Sequence, residues 1–230
     1  MINKPIPVTK PLCWEAILAL PITPKSEPLV DTSCLLDQQI YTQSDYFKQG
    51  IAHALPTCYV REGLLARLRR AASFLPDGVH LLILDGWRPV MLQQALIDQV
   101  GLDIKARFAH ESPAKQQEIL AQFVAKPSTD PLCPSPHLTG GSVDLTLCNS
   151  KGEWLDMGSG FDEPVEASWT AALEEQPESI AQHNRRLLYW AMIEAGFSNL
   201  STEWWHYDYG NQLWAYYTEQ EQALYSVAQP

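Results

Sequence analysis

The sequence predicts an α+β fold in a single domain, and three observations support this. Apolar positions at helical spacing and short apolar or alternating runs follow one another without regular strand–helix–strand repetition. The 230 residues suit one domain better than two small ones. With 46% hydrophobic residues, the chain has the content of a globular protein that buries a core. We divide it into a proline-rich arm over residues 1–30, packed on the domain, and the domain itself over residues 31–230.

Each element has its own justification. Six of the seventeen prolines fall in the first thirty residues. Proline fixes φ and lacks an N–H, so this stretch reads as an extended arm without a helix. Residues 61–75 place Leu64, Leu65, Leu68, Ala71, Ala72 and Leu75 at helical spacing, and Pro76-Asp77-Gly78 closes that helix. VHLLIL (79–84) is a short apolar strand. DGWRP (85–89) is a turn, with Pro89 suited to the first position of a helix that runs to about Val100 and is closed by Gly101. Ser112 is the expected N-cap of a further helix with Pro113 behind it, carrying Ile119, Leu120, Phe123 and Val124 toward the core. KPSTDPLCPSP (126–136) is a loop. GSVDLTL (141–147) alternates, with Val143, Leu145 and Leu147 on one face and Ser142, Asp144 and Thr146 on the other, as a half-buried strand does. NRRLLYWAMIEA (184–195) is a late helix ended by Gly196.

Charge and composition narrow the function classes. A formal net charge of −11 argues against nucleic acid, because phosphate contact is led by Lys and Arg. It leaves room for a divalent cation or a small zwitterionic substrate. No run approaches the ~20 apolar residues that cross a bilayer. The N-terminal stretch lacks the pattern of a secretory signal. Five scattered cysteines without CxxC spacing point to reduced thiols and a cytoplasmic setting.

Two polar clusters stand out: SPHLTGGSVDLTL (135–147), with His137 and Asp144, and STEWWHYDYG (201–210), with Glu203 and His206. Two imidazoles and a carboxylate are a plausible three-ligand set for a catalytic zinc, leaving a coordination position for water. His137 and Asp144 are seven apart, which on one straight strand would aim them at opposite faces. Gly140-Gly141 between them permits a sharp turn. Glu203 and His206 are three apart, so both face one metal only if residues 203–206 bend or wind. Taken singly the bland readings dominate: His206 as a hydrogen-bonded core histidine, Glu203 and Asp208 as solvated carboxylates. Cys133, four residues before His137, is a further conceivable ligand, though its proline-rich loop favours a structural role. Arg88 in DGWRP can point into a cleft or make a surface ion pair, with Asp85 three residues earlier to hold it.

Together these segments resemble the D-alanyl-D-alanine dipeptidases, zinc metallopeptidases related to peptidoglycan D,D-carboxypeptidases. The shared patterns are Ser135-x-His137-x-x-Gly140-x-x-x-Asp144, Glu203-x-x-His206 and Asp85-Gly-aromatic-Arg88-Pro89. MGSGFDE (157–163) and the helix before the last motif add to the likeness. The resemblance implies a mainly antiparallel central sheet flanked by helices, of the type shared by D,D-peptidases and hedgehog-like domains. It implies one Zn²⁺ held by His137, Asp144 and His206, with Glu203 as catalytic base and Arg88 steadying the transition state. Ser135 and Asp162 would bind the ammonium of a small dipeptide. Ser142, Thr139 and Trp87 depart from the family's common residues, and Ser142 and Thr139 put the substrate range in question.

The activity so implied is zinc-dependent hydrolysis of D-Ala-D-Ala to D-alanine, without nucleic acid or membrane as partner. The alternatives are a D,D-carboxypeptidase or endopeptidase acting on peptidoglycan stem peptides, and a zinc-binding module of the same fold that has lost catalysis.

Overall fold

The computed structural model describes residues 4–34, 39–123 and 125–229, apart from the side chains of residues 122 and 123. The expected inward placement of Phe123 and Val124 therefore lies outside what is described. The helices are α1 (Trp14–Leu18), α2 (Asp45–Lys48), α3 (Glu62–Ala72), α4 (Val90–Arg107), α5 (Pro113–Phe123), α6 (Ile180–Glu194) and α7 (Gln212–Tyr217). The strands are β1 (Leu29–Asp31), β2 (Ile40–Thr42), β3 (Tyr59–Arg61), β4 (Val79–Asp85), β5 (Ser142–Asn149), β6 (Ser198–Asn199) and β7 (His206–Asp208).

Five strands form the central sheet in the order β2-β4-β5-β7-β6, and β1 pairs with β3 separately. Only β2–β4 is parallel within the central sheet; β4–β5, β5–β7 and β6–β7 are antiparallel. The domain is thus α+β with a mainly antiparallel sheet. Leu64 and Leu68 of α3 and Leu188 and Met192 of α6 pack on Val143, Leu145 and Leu147 of β5, forming the main core with Trp204 and Tyr207. Among the described residues, no helix is long and apolar enough to cross a membrane.

Strand β5 departs from expectation. Its 142–148 stretch is buried throughout, not on one face alone. It is the middle strand, so both faces are covered. Val143, Leu145 and Leu147 meet the α3–α6 core, and Cys148 packs with Leu82 and Leu84 on the other side, where Phe161 also lies. That second face carries Asp144, so its polar residues are interior residues.

Gly101 does not end α4, which continues to Arg107. Glycine inside a helix costs about 1 kcal/mol relative to alanine. Val100 and Ile104, buried on either side of it, carry the helix across. Pro89 stands one position before the first helical residue, as N-cap. Helix α5 starts as read, with Ser112 Oγ accepting from Lys115 N at 3.2 Å. Helix α6 begins four residues earlier than its apolar pattern suggested, because Ser179 Oγ caps it by accepting from Gln182 N.

The proline-rich arm is not wholly extended. WEAIL lies between Pro11 and Pro21, free of proline, and winds into α1. Ile17 of α1 is buried against Leu200 and Leu213.

Candidate metal centre

The site is built where three strands lie abreast. Asp85 on β4 is paired with Asp144 on β5, and Asp144 with His206 on β7. The β4–β5 register shifts between Ile83 and Asp85, so an extra residue on β4 swings Asp85 opposite Asp144. His137 comes from a short 3-10 turn, His137–Thr139. Gly140 follows it at φ 70°, and a Cβ there would stand 2.5 Å from Leu29. That left-handed residue turns the chain from His137 back into β5. Residues 203–206 wind as the spacing required: His206 N donates to Glu203 O at 3.3 Å, so both side chains reach the same side.

His137, Asp144 and His206 each offer a ligand atom, and these atoms lie within 4.8 Å of one another. All three residues are buried. Each imidazole is held from behind. His137 Nδ1 is 2.8 Å from the Gly86 carbonyl oxygen, which can only accept, so Nδ1 carries the proton and Nε2 a lone pair. A Cβ on Gly86 would sit 2.3 Å from Tyr59 O, so only glycine brings this carbonyl so close. His206 Nε2 is 3.0 Å from Asp208 Oδ2, which directs Nδ1 inward. Those inward nitrogens are 3.2 Å apart, and His206 Nδ1 is 3.1 Å from Asp144 Oδ1. Three electron-pair donors converge with their other sides already bonded, the arrangement expected around a divalent cation. Two nitrogens and a carboxylate oxygen with room for a fourth ligand suit zinc's donor preference.

The electrostatics point the same way. Burial would lower His206's pKa, but Asp208 and Asp144 outweigh it and raise the pKa well above the ordinary histidine value. The pocket thus favours positive charge at these atoms, where a proton and a metal ion compete. Burial would raise Asp144, but the two imidazoles hold it below the usual carboxylate range.

Arg88 lies beside the triad and is buried. It donates from Nε to Asp85 at 2.9 Å, from Nη1 to Gln93 Oε1 at 2.9 Å, and from Nη2 to Asp144 Oδ2 at 3.1 Å. Burial opposes its charge, but the surrounding acidic groups, Asp85, Asp144 and Asp162 among them, raise its pKa. The surface ion-pair reading of Arg88 therefore fails. Glu203 is also buried, with Oε2 3.8 Å from His206 Nδ1. Burial, reinforced by Asp144 and Asp162, pushes it up to about 8. Asp162 stands in the left-handed region at φ 56°, and burial pushes it to about 7. It accepts a hydrogen bond from Tyr46, whose hydroxyl is 3.5 Å from Arg88 Nη2. Arg88, His137, Asp144, Asp162, Glu203 and His206 all line one cavity of about 540 Å³, counted with its mouth.

The remaining candidates fall elsewhere. Ser135 Oγ is buried and engaged with the loop before it, accepting from Ser128 N at 2.7 Å and lying 3.1 Å from Lys126 O. It shapes the approach to His137 and does not line the cavity. Thr139 turns to its own loop, donating to Pro136 O and accepting from Gly141 N. Ser142 is not a wall of the substrate space: it donates to Asp208 Oδ1 at 2.6 Å. Cys133 is outside the group of ligand atoms. Trp205 lines the cavity, whereas Trp204 donates to Ser159 Oγ.

Sequence reasoning missed Asp208, read singly as a solvated carboxylate. It is fully buried and accepts from His206, Ser142 and Asn211. Its position two residues after His206 on one strand puts both side chains on the same face, a usable signal. Tyr46 and Gln93 were also missed, and no local pattern marks them.

Residues 41–226 match the family described as D-ala-D-ala dipeptidase. The D-alanyl-D-alanine dipeptidase of Synechocystis sp. is 33% identical over 219 residues, covering 86% of this chain and 88% of the relative. The enzyme of that name from Escherichia coli is 32% identical over 152 residues, 66% of each chain. That from Enterococcus faecium is 32% identical over 157 residues, 66% of this chain and 71% of the relative.

Asp208→Asn weakens the acceptor that fixes the His206 tautomer. Divalent-metal affinity, measured by competition with a chelator, is expected to fall about 10- to 100-fold. An unchanged affinity in folded protein would show that Asp208 does not orient the ligand.

Proposed function

The chain belongs to the D-Ala-D-Ala dipeptidase family, and on that premise we propose that it is a zinc-dependent dipeptidase that hydrolyses D-Ala-D-Ala to D-alanine. The observation that carries the reading is the convergence of His137, Asp144 and His206 beside a buried carboxyl, Glu203, whose pKa is raised to about 8. In this reading His137 Nε2, His206 Nδ1 and Asp144 hold the zinc. When bound, it would supply Lewis acidity for the peptide carbonyl and a water that ionises near neutral pH.

The protein's own groups divide the remaining work. Glu203 takes the proton of the attacking water and returns it to the departing amine. Its burial keeps the protonated form accessible near neutral pH, while a cation beside it draws the pKa back down. Arg88 cannot lose its charge here and donates to the oxygen on which negative charge develops. Asp85 and Gln93 hold the guanidinium in place, so little reorganisation accompanies that charge. Asp162 receives the substrate's ammonium, supported by the Tyr46 hydroxyl. Ser135, expected from the sequence to share that task, has its hydroxyl engaged with the 126–128 backbone, which ties down the loop before His137. The five free thiols support a cytoplasmic setting.

The test is a hydrolysis panel of D-Ala-D-Ala, L-Ala-L-Ala and an N-acylated tripeptide ending in D-Ala-D-Ala, each with and without a chelator. We expect cleavage of the free D,D-dipeptide alone, lost on chelation and regained with zinc. Preference for the acylated peptide would indicate a carboxypeptidase. Glu203→Gln should keep zinc and lose about 10²–10⁴ in kcat; normal turnover would remove Glu203 from the role of base. For Arg88→Ala, kcat of the zinc-loaded, folded protein should drop about 10²–10³. If only the melting temperature falls, the guanidinium is structural.

A further inference from the structure

Beside the catalytic cavity lies a much larger groove of about 2600 Å³, counted in the same way. The two spaces share the walls Trp14 and Ala121. Ser201 and Thr202, immediately before Glu203, line the groove, while Leu200 and Glu203 line the cavity. The spaces are therefore neighbours. The Trp14 indole spans from the arm to α5, donating from Nε1 to Ala121 O at 3.4 Å. Its helix is anchored independently of that contact. Ile17 is buried with Leu200 and Leu213, and Gln212 Nε2 donates to Leu20 O at 2.7 Å.

We propose that Trp14 is a specificity-determining residue: its indole partitions the catalytic cavity from the groove and so sets the length of peptide that can be cleaved. The inference rests on the dipeptidase reading above and deepens it. A free dipeptide is the substrate that the dipeptidase reading places in the cavity lined by Glu203 and Arg88. A third residue has to continue somewhere, and the groove is the adjoining room, with the indole and the α5 backbone in between. Trp14 reaches neither Glu203 nor a ligand atom by any hydrogen bond, so its effect is steric. It should discriminate between peptides of different length more than it changes the chemistry. In the opened protein, the added substrates are oligomers of small D-amino acids, extended beyond two residues.

The experiment compares native protein, Trp14→Ala and Trp14→Phe, zinc-loaded, on D-Ala-D-Ala and on tri-D-alanine, following release of D-alanine. For Trp14→Ala the ratio of kcat/KM for tripeptide over dipeptide should rise about tenfold or more. Trp14→Phe, which keeps a ring, should stay nearer the native ratio. If Trp14→Ala does not fold, Trp14→Leu takes its place. A ratio in the folded variant within about twofold of native overturns the partition, as does native protein that cleaves both peptides equally well. Native protein that cleaves neither sinks the dipeptidase reading instead. Calorimetric binding of tri-D-alanine to native and variant protein then decides the partition: tighter binding by the variant supports it, and equal binding overturns it.

Discussion

The whole site hangs on the register of three neighbouring strands. Asp85, Asp144 and His206 stand side by side because β4, β5 and β7 are paired at that level and nowhere else. Directly opposed residues in an antiparallel pair bring their Cβ atoms to about 4.5–5.5 Å, the reach of a carboxylate–imidazole contact. A slip of one residue in β5 would turn Asp144 into the α3–α6 core and Val143 or Leu145 into the cavity. The apolar residues of β5 therefore specify the site as strictly as the polar ones do. The irregularity before Asp85 lets the guanidinium of Arg88 be held without breaking that register.

Around this line the protein gathers more negative than positive charge. Asp85, Asp144, Glu203 and Asp208 are buried together, with Asp162 nearby and one guanidinium among them. Buried charges seldom add stability, and removing one partner is strongly destabilising. Such a cluster is tolerable where a cation completes it. The scaffold carries this mainly through the α3–α6 packing on the opposite face of β5. Catalytic readiness and fold stability are thus assigned to the two faces of one strand.

Much of this was legible in the sequence. The helix over 62–72, the Ser112 cap, the strand after Pro76-Asp77-Gly78 and the α+β class followed from periodicity and turn chemistry. His137, Asp144, Glu203 and His206 were readable as residue types at workable spacing, and Arg88 with Asp85 as its holder. What failed had a common cause: burial is decided by neighbours distant in the chain. The alternation in β5 suggested a solvated face because nothing local says that the strand is central. Gly101 looked like a stop because the contacts that sustain α4 lie outside its own pattern. Asp208 looked like a surface group, and Ser142 like a residue bearing on substrate range, because their partners are brought to them only by β5–β7 pairing and the turn that follows.

The C-terminal stretch carries none of the motif residues, yet it threads back over the loops that present the site. Ala228 N donates to Leu138 O, and Ala228 O accepts from Trp87 Nε1. Arg61 reaches Ser226 O while its Nε donates to Thr139 O. One short segment therefore clasps the turn holding His137 and the turn holding Arg88. During synthesis these residues emerge after every ligand. A nascent chain can carry His137, Asp144 and His206 and still lack the clasp that orders two of its site-bearing loops, so full assembly of the site waits for the last residues to emerge.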